Sequence, residues 1–198
     1  MYKYLALRDR RLEGGVPARP RLSIVNVDEH TISSSLFHQI KGAASAAGGR
    51  IDTMFVFCHG FAGENVNAGV SMDAGGMGLE LGRDCVLHSN VHRWAAIKDK
   101  VKDMVVYSCA AANTEQNNAG TTADGKYLMG ALAIYTNATV YAADRIQWYN
   151  TYHGLPNGAF NFGKWEGTLW RFPPSGNPPT ALNGAPVEFS DVLAGTAP

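Results

Sequence analysis

Apolar positions along this chain fall into two kinds of run, and the alternation between them carries most of the structural information. Thr53-Met54-Phe55-Val56-Phe57-Cys58 and Met104-Val105-Val106-Tyr107 are short and continuously apolar, the signature of strands covered on both faces. Arg21 to Val27 reads as a further strand in which Leu22 and Ile24 alternate with Ser23, Val25 and Val27, and Thr139 to Ala143 as a fourth; Gly78 to Leu81 fits a short one. Between them lie runs at helical spacing. Ile32, Leu36, Phe37, Ile40, Ala43, Ala44 and Ala47 form one, with Thr31 or Ser33 as its cap and Gly48-Gly49 as its stop. Val91, Trp94, Ala95, Ile97 and Lys98 predict a helix from Val91 to about Val101 capped by Ser89 or Asn90. Lys126 to Tyr135 predicts another, closed at Asn137.

Strands alternating with helices argue an open, mainly parallel α/β sheet flanked by helices, with right-handed crossovers. From Thr151 the pattern decays, except that Phe162, Trp165, Leu169, Trp170 and Phe172 predict an edge hairpin within Phe160 to Phe172. Residues 1–20 are charged and punctuated by proline, a lead-in without pattern. Residues 173–198 are rich in proline and glycine and read as an extended or mobile tail. The expected organisation is one domain over 1–172, with its core at about 21–172.

Composition narrows the function classes. The chain has 198 residues, 45% of them apolar, enough for a sizeable core. Lys plus Arg and Asp plus Glu are equal at 17 each, so nothing favours a nucleic acid or an anionic membrane as partner. No apolar run approaches the roughly 20 residues needed to span a bilayer. The first residues lack the apolar segment and cleavage site of a secretory signal, which points to synthesis in the cytoplasm. Cys58, Cys85 and Cys109 are too few for a disulfide framework, so thiol reactivity or metal binding is the chemistry to look for.

In an open α/β sheet functional groups gather beyond the carboxyl ends of the strands. Two such ends carry suitable residues: His59 follows one buried strand and Cys109 another, each succeeded by small residues that permit a sharp turn. If the strands are neighbours, imidazole and thiol face one crevice, the arrangement of a Cys–His pair in which the ring is the base and the thiolate attacks. Cys58, one residue before His59, points by strand alternation into the core. Cys85, His88 and His92 have the spacing of zinc ligands, but a fourth ligand is not evident and solvated histidines are the simpler reading, so no metal or cofactor is expected.

The runs Phe55-Val56-Phe57-Cys58-His59-Gly60 and Val105-Val106-Tyr107-Ser108-Cys109-Ala110 resemble the caspase-like, clan CD cysteine peptidases, whose motifs are an apolar strand into His-Gly and an apolar strand into Cys. The likeness is closer to the bacterial caspase-like domain of unassigned function found in large repeat-containing surface proteins. Gly78-Leu79-Glu80-Leu81-Gly82, Tyr107-Ser108-Cys109 and Val140-Tyr141-Ala142-Ala143 fill that domain's hairpin, cysteine motif and following strand in order, over about Arg21 to Phe172. The chain departs from it at Ser108, where Gly is expected, and in having no glycine after Cys109 until Gly120. The resemblance implies a caspase-like sheet and peptide-bond hydrolysis through a thioester. His59 would be base and then acid, Cys109 the nucleophile, and the backbone N–H groups of Gly60 and Cys109 the oxyanion donors. It implies a protein or peptide substrate and a bacterial source, and leaves open export as part of a larger secreted or effector polypeptide.

Two other readings stay in view. One is an inactive protein-interaction module on the same fold. The other is an α/β-hydrolase with a cysteine nucleophile: His59-Gly60-Phe61-Ala62-Gly63 looks like its oxyanion loop, and Cys109, Asp144 and His153 follow in nucleophile, acid, histidine order. That fold needs glycine two residues either side of the nucleophile, where Tyr107 and Ala111 stand here. For specificity, the acidic residues just past strand ends are Asp28, Glu29 and Asp144. In a partly desolvated pocket Asp28 or Asp144 would favour a substrate Arg or Lys; the alternative is that each only caps a turn. Trp148, Trp165 and Trp170 are expected to be packing residues.

Overall fold

The computed structural model describes residues 2–61, 75–114, 119–151 and 158–198. Its centre is a seven-stranded, mostly parallel sheet. In chain order the strands are β1 (Tyr4–Asp9), β2 (Leu22–Val27), β3 (Ile51–Phe57), β7 (Val101–Tyr107), β8 (Thr139–Ala143), β11 (Leu169–Phe172) and β12 (Thr180–Leu182). The spatial order is β12-β11-β8-β7-β3-β1-β2; β11 and β12 are antiparallel to their neighbours and all other pairings are parallel. A three-stranded ribbon of β4 (His59–Gly60), β5 (Gly78–Glu80) and β6 (Val86–Leu87) follows β3. The pair β9 (Asn150–Thr151) and β10 (Phe160–Asn161) follows β8.

The strand expectations for β2, β3, β5, β7 and β8 hold to within a few residues, as do two helices, α1 (Ser33–Ala46) and α2 (Gly125–Thr136). Both helices stop as their sequences suggest. Gly48 and Gly49 take φ of 85° and 111° after α1, and Asn137 takes the left-handed conformation at the end of α2. The caps of α1 differ: its N-cap is Ile32, Thr31 turns back to Asp28, and Ser33 donates to Asp84 across the fold. The predicted helix from Val91 is a 3-10 helix ending at Ile97, because Asp99 takes φ +63° to turn the chain into β7. Asn90 does not cap it; its amide closes the preceding turn on Leu87, Asp84 and Cys85.

Three segments depart from the sequence reading. The lead-in contains β1, which lies inside the sheet between β3 and the edge strand β2. Tyr4 to Leu7 and Asp9 are buried, so the strand has no polar face to give it a period, and the charges of Arg8 to Arg11 hide its end. The expected edge hairpin is divided: β10 leaves the main sheet, and β11 is interior because Thr180–Leu182 pairs outside it as the true edge. The proline-rich tail is ordered. It supplies β12 and α3 (Phe189–Ala194), whose capping box joins Glu188 and Asp191 and whose Phe189 and Val192 are buried.

Strand alternation gives the sheet two unlike faces. Leu5, Leu7, Met54, Val56, Met104, Val106 and Val140 pack under α1, the 3-10 helix and α2. Tyr4, Phe55, Phe57, Tyr107 and Tyr141 pack with Phe160, Phe189 and Val192 on the other side. No helix among the described residues is long and apolar enough to cross a membrane.

Candidate active site

β3 and β7 are adjacent and parallel, with Phe57 opposite Tyr107. His59 and Cys109 therefore each lie two residues past a matched pair, at the carboxyl edge of neighbouring strands. Contact between the two chain segments there is close: the Cys58 N–H donates to the Tyr107 carbonyl at 3.5 Å, and a Cβ on Gly60 would collide with the Cys109 carbonyl. Only glycine lets the His59 segment approach the Cys109 turn in this way. Beyond Cys109 the chain turns through Ala110 at φ +47°, an uncommon conformation for a residue with a Cβ. The turn is held by Ala110 N–H to the Arg145 carbonyl (2.9 Å) and Ala112 N–H to the Ala143 carbonyl (3.0 Å). Gly125 closes it from the far side, where a Cβ would stand 2.5 Å from the Ala111 carbonyl oxygen.

His59 is half-buried and its Nε2 lies 3.4 Å from the Arg11 carbonyl. A carbonyl can only accept, so Nε2 carries the proton in this bond, and in the neutral ring the lone pair then lies on Nδ1. The residue holding that carbonyl is itself anchored. The Arg11 guanidinium meets Asp9 at 2.6 and 2.8 Å, Glu80 at 2.9 Å and the Gly82 carbonyl at 3.0 Å, and Asp9, fully buried, also accepts from the Gly82 N–H at 2.8 Å. Hydrogen bonding to Asp9 raises the already high pKa of Arg11, so this guanidinium is permanently charged. Among the described residues no hydrogen bond joins the His59 ring to the Cys109 thiol.

Cys109 is half-buried. Burial pushes its thiol above the ordinary value; the Gln147 N–H pulls it back, the Glu166 carboxylate raises it further, and the Gly60 N–H favours the thiolate. The N–H groups of Gln147 and Gly60 thus favour the thiolate, while burial outweighs them and raises the thiol. The other cysteines differ from it. Cys58 is buried in the core as strand alternation predicts, and burial pushes its thiol far above the usual range. Ser108 Oγ, buried without a hydrogen bond of normal geometry, is its neighbour. Cys85 sits at φ +54° with its sulfur 4.0 Å from the Gly82 carbonyl.

The remaining sequence candidates are engaged elsewhere by their side chains or lie outside the described residues. Asp28 lies past β2, separated from β3 by β1; its carboxylate accepts from the His30 N–H (3.1 Å) and the Thr31 hydroxyl (2.9 Å) and closes a turn. Glu29 is exposed beside His30. Asp144 lies past β8, next to β7, but both its oxygens are occupied, by the Thr168 N–H at 2.8 Å and the Trp170 indole at 2.9 Å. Its role is to fasten β11 to β8. His153 and most of the loop after Gly60 lie outside the described residues. Cys85, His88 and His92 are not drawn together: the His88 ring stacks on Tyr127 (5.4 Å, 7°) and His92 meets Tyr135 edge-on. No cluster suited to a metal occurs among the described residues. Trp165 stacks on Tyr107 and donates to Glu188, Trp170 donates to Asp144, and Trp148 is 64% exposed.

Arg11, Gln147 and Glu166 are the site residues that sequence reasoning missed. Each sits in a segment without periodicity, placed by hydrogen bonds between loops, and no local pattern marks them. No family model, no curated protein and no solved structure matches this chain.

Proposed function

We propose that this chain is a caspase-like cysteine endopeptidase, with Cys109 as nucleophile and His59 as base. The observation that carries the reading is the register of β3 on β7, which sets both residues at one edge with Gly60 pressed against the Cys109 backbone. The sequence resemblance requires that adjacency, and a pair of unrelated strand ends has no reason to have it.

The chemistry follows from the atoms present. Nδ1 of His59, left free by the Nε2–H bond to Arg11, takes the Cys109 proton as the sulfur attacks the scissile carbonyl carbon. The oxygen gains the electron pair and is met by the backbone N–H groups of Gly60 and Cys109. Collapse of this intermediate breaks the C–N bond, the amine leaves with the proton from His59, and a thioester remains. Water then attacks the thioester, gives its proton to His59, and the cysteine thiol is restored. Because the resting thiol is protonated, proton transfer accompanies attack and no thiolate waits beforehand. Hydrogen bonds of this kind are commonly long before substrate arrives.

The test is a peptidyl electrophile directed at thiols, followed by mass spectrometry of the full chain. Labelling is expected on Cys109, not on Cys58 or Cys85, and falling at least about a hundredfold in His59→Ala. Cys109→Ala should abolish peptide hydrolysis and leave the thermal midpoint within a few degrees. Equal labelling of Cys85 and Cys109, unaffected by His59→Ala, would leave the inactive interaction module as the better reading.

A further inference from the structure

Helix α2 carries an outward face that folding alone does not explain. Its 12 residues include one charge, Lys126. Tyr127, Ile134 and Tyr135 are 63%, 50% and 38% exposed, half of the large apolar side chains left open to solvent among the described residues. Helical spacing sets Lys126, Gly130 and Ile134 in one row along this face and Tyr127, Ala131 and Tyr135 in the next. Together with neighbours on both sides, the two rows enclose a cavity of about 650 Å³, within the range of small-molecule sites. Gly130 and Ala131 form its floor. On one side His88 stacks on Tyr127 and His92 meets Tyr135; on the other stand Phe172, Pro173, Pro178 and Pro179.

Two nitrogen atoms of the lining lack a hydrogen-bonding or ionic partner among the described residues. Lys126 Nζ stands 3.5 Å over the Trp170 ring and makes no salt bridge. His88 Nε2 is buried and unpaired, a cost in the empty cavity. The one carboxylate of the described lining, Asp124, does not complement them: Oδ1 accepts from the Tyr127 N–H (3.0 Å) and the Thr114 hydroxyl (2.8 Å), and Oδ2 from the Gly120 N–H (2.8 Å). An apolar floor beside an unpaired cation calls for an apolar body that carries an acid. Tyr127, Tyr135 and the prolines present flat faces, which a rigid ring covers without losing rotamer freedom. We propose that this cavity binds a small aromatic carboxylate, its rings over Gly130 and Ala131 and its carboxylate on the Lys126 ammonium. The His88 N–H is the second donor, reached when the exposed Tyr127 ring turns off it. Lys126 keeps the Trp170 face and gains a charge-assisted hydrogen bond. Neither His59 nor Cys109 takes part, so the site stands whether or not the chain cleaves peptides.

The full chain is titrated with naphthoate, with naphthalenemethanol, which keeps the rings without the charge, and with acetate, which keeps the charge without the rings. Calorimetry reads the affinity, and nitrogen–proton correlation spectra read the place. Naphthoate is expected to bind at least about tenfold more tightly than the alcohol and to shift the amide signals of Gly130 and Ala131, while acetate at matched concentration leaves them unmoved. Lys126→Met should weaken naphthoate about tenfold and leave the alcohol within about twofold. His88→Phe, which keeps a ring stacked on Tyr127, should weaken naphthoate by a smaller factor. Gly130→Leu should abolish binding of both. A Cβ at Gly130 meets nothing nearer than Phe172 Cδ1 at 4.0 Å, so the fold accepts the larger side chain, which grows into the cavity, and the thermal midpoint should not fall. Equal affinity for naphthoate and the alcohol, binding that survives Gly130→Leu, or unmoved Gly130 and Ala131 signals would each overturn the site. A dimer in sedimentation that Gly130→Leu dissociates would show that a second copy of the chain covers α2, and would overturn it too.

Discussion

On one face of the central sheet Leu7, Met54, Val56, Met104 and Val106 meet α1, the 3-10 helix and α2; on the other Tyr4, Phe55, Phe57 and Tyr107 meet loops, Phe160 of β10, and α3. The first face is aliphatic and its cover is helical. The second is a stack of rings: Phe57 lies 5.3 Å from Tyr107 and 5.1 Å from Phe160, nearly parallel to both, with Phe189 edge-on at 4.8 Å. Helices bury an apolar stripe through periodic side chains, whereas irregular chain has few side chains to offer per turn and compensates with large ones. By the same alternation that sets Phe57 and Tyr107 on the aromatic face, His59 and Cys109 continue along it, and Glu166 and Gln147 come from its irregular cover. The candidate site stands where the chain is least regular.

If the irregular cover is packed as tightly as the helical one, deleting a side chain from either should cost a similar amount. Phe189→Ala on α3 and Leu132→Ala on α2 are each expected to destabilise by about 3–4 kcal/mol, read as the shift in urea midpoint at constant slope. Phe189 is 2% exposed, packs against Phe55 and Phe57, and its N–H donates to the buried Tyr107 hydroxyl at 3.1 Å. A cost below about 1 kcal/mol for Phe189→Ala would mean that residues 185–198 are the loose tail their composition suggests.

The contrast between the faces also explains what the sequence disclosed. β3 and β7 are legible because a continuous apolar run has few other uses, and α1 and α2 because their spacing and their stops agree. β1 was hidden although equally buried, since six residues between Lys3 and Arg10 offer neither period nor length. The tail was misread for a related reason: glycine and proline mark breaks in local structure but say nothing of whether the few apolar residues between them, here Phe189 and Val192, dock elsewhere. In the site, His59 and Cys109 were found because strand ends are predictable. Gln147 and Glu166 were not, because the bonds that place them join two loops across the main sheet's antiparallel edge. Asp144 stayed open between a substrate carboxylate and a turn cap because its partners, Thr168 and Trp170, lie at the start of a strand whose pairing sequence alone does not reveal.

Each face carries a buried acid that ionises only at high pH, which separates the two in a titration. Burial pushes the Cys58 thiol on the aliphatic face and the Tyr107 phenol on the aromatic face well above their usual values. Such groups hold their proton in the folded chain after the unfolded chain has released it, so their contribution is complete below the unfolded pKa and is lost as pH rises. Stability should therefore begin to fall near pH 8.5 through Cys58 and steepen near pH 10 through Tyr107, each group removing up to about 1.4 kcal/mol per pH unit. Urea midpoints between pH 8 and 11 under reducing conditions give the profile. Cys58→Ala should reduce the earlier loss and Tyr107→Phe the later one, the remainder coming from the other thiols and phenols that burial also raises. A flat profile in the native chain would show that neither group is sealed from water.

The smallest effect lies at the start of α1, on the aliphatic side, where the helix lacks the cap its sequence advertises. Ile32 occupies the N-cap position in extended conformation, 43% exposed, and offers no acceptor. Asp84 substitutes from outside, taking both the Ser33 N–H (3.0 Å) and the Ser33 hydroxyl (2.7 Å) on Oδ2, and these bonds hold its carboxyl below the ordinary carboxylate range. Since a hydroxyl at position 32 would accept from the N–H of Ser34 or Ser35, which Asp84 does not take, Ile32→Ser should raise stability. The gain is expected to be only about 0.5 kcal/mol, because part of the capping is already supplied and the apolar contact of the half-covered Ile32 is given up. Combined with Asp84→Ala the same substitution should gain more, since the new cap then works on a helix end that has lost its substitute. Equal gains in the two backgrounds would show that Asp84 anchors Ser33 without capping the helix.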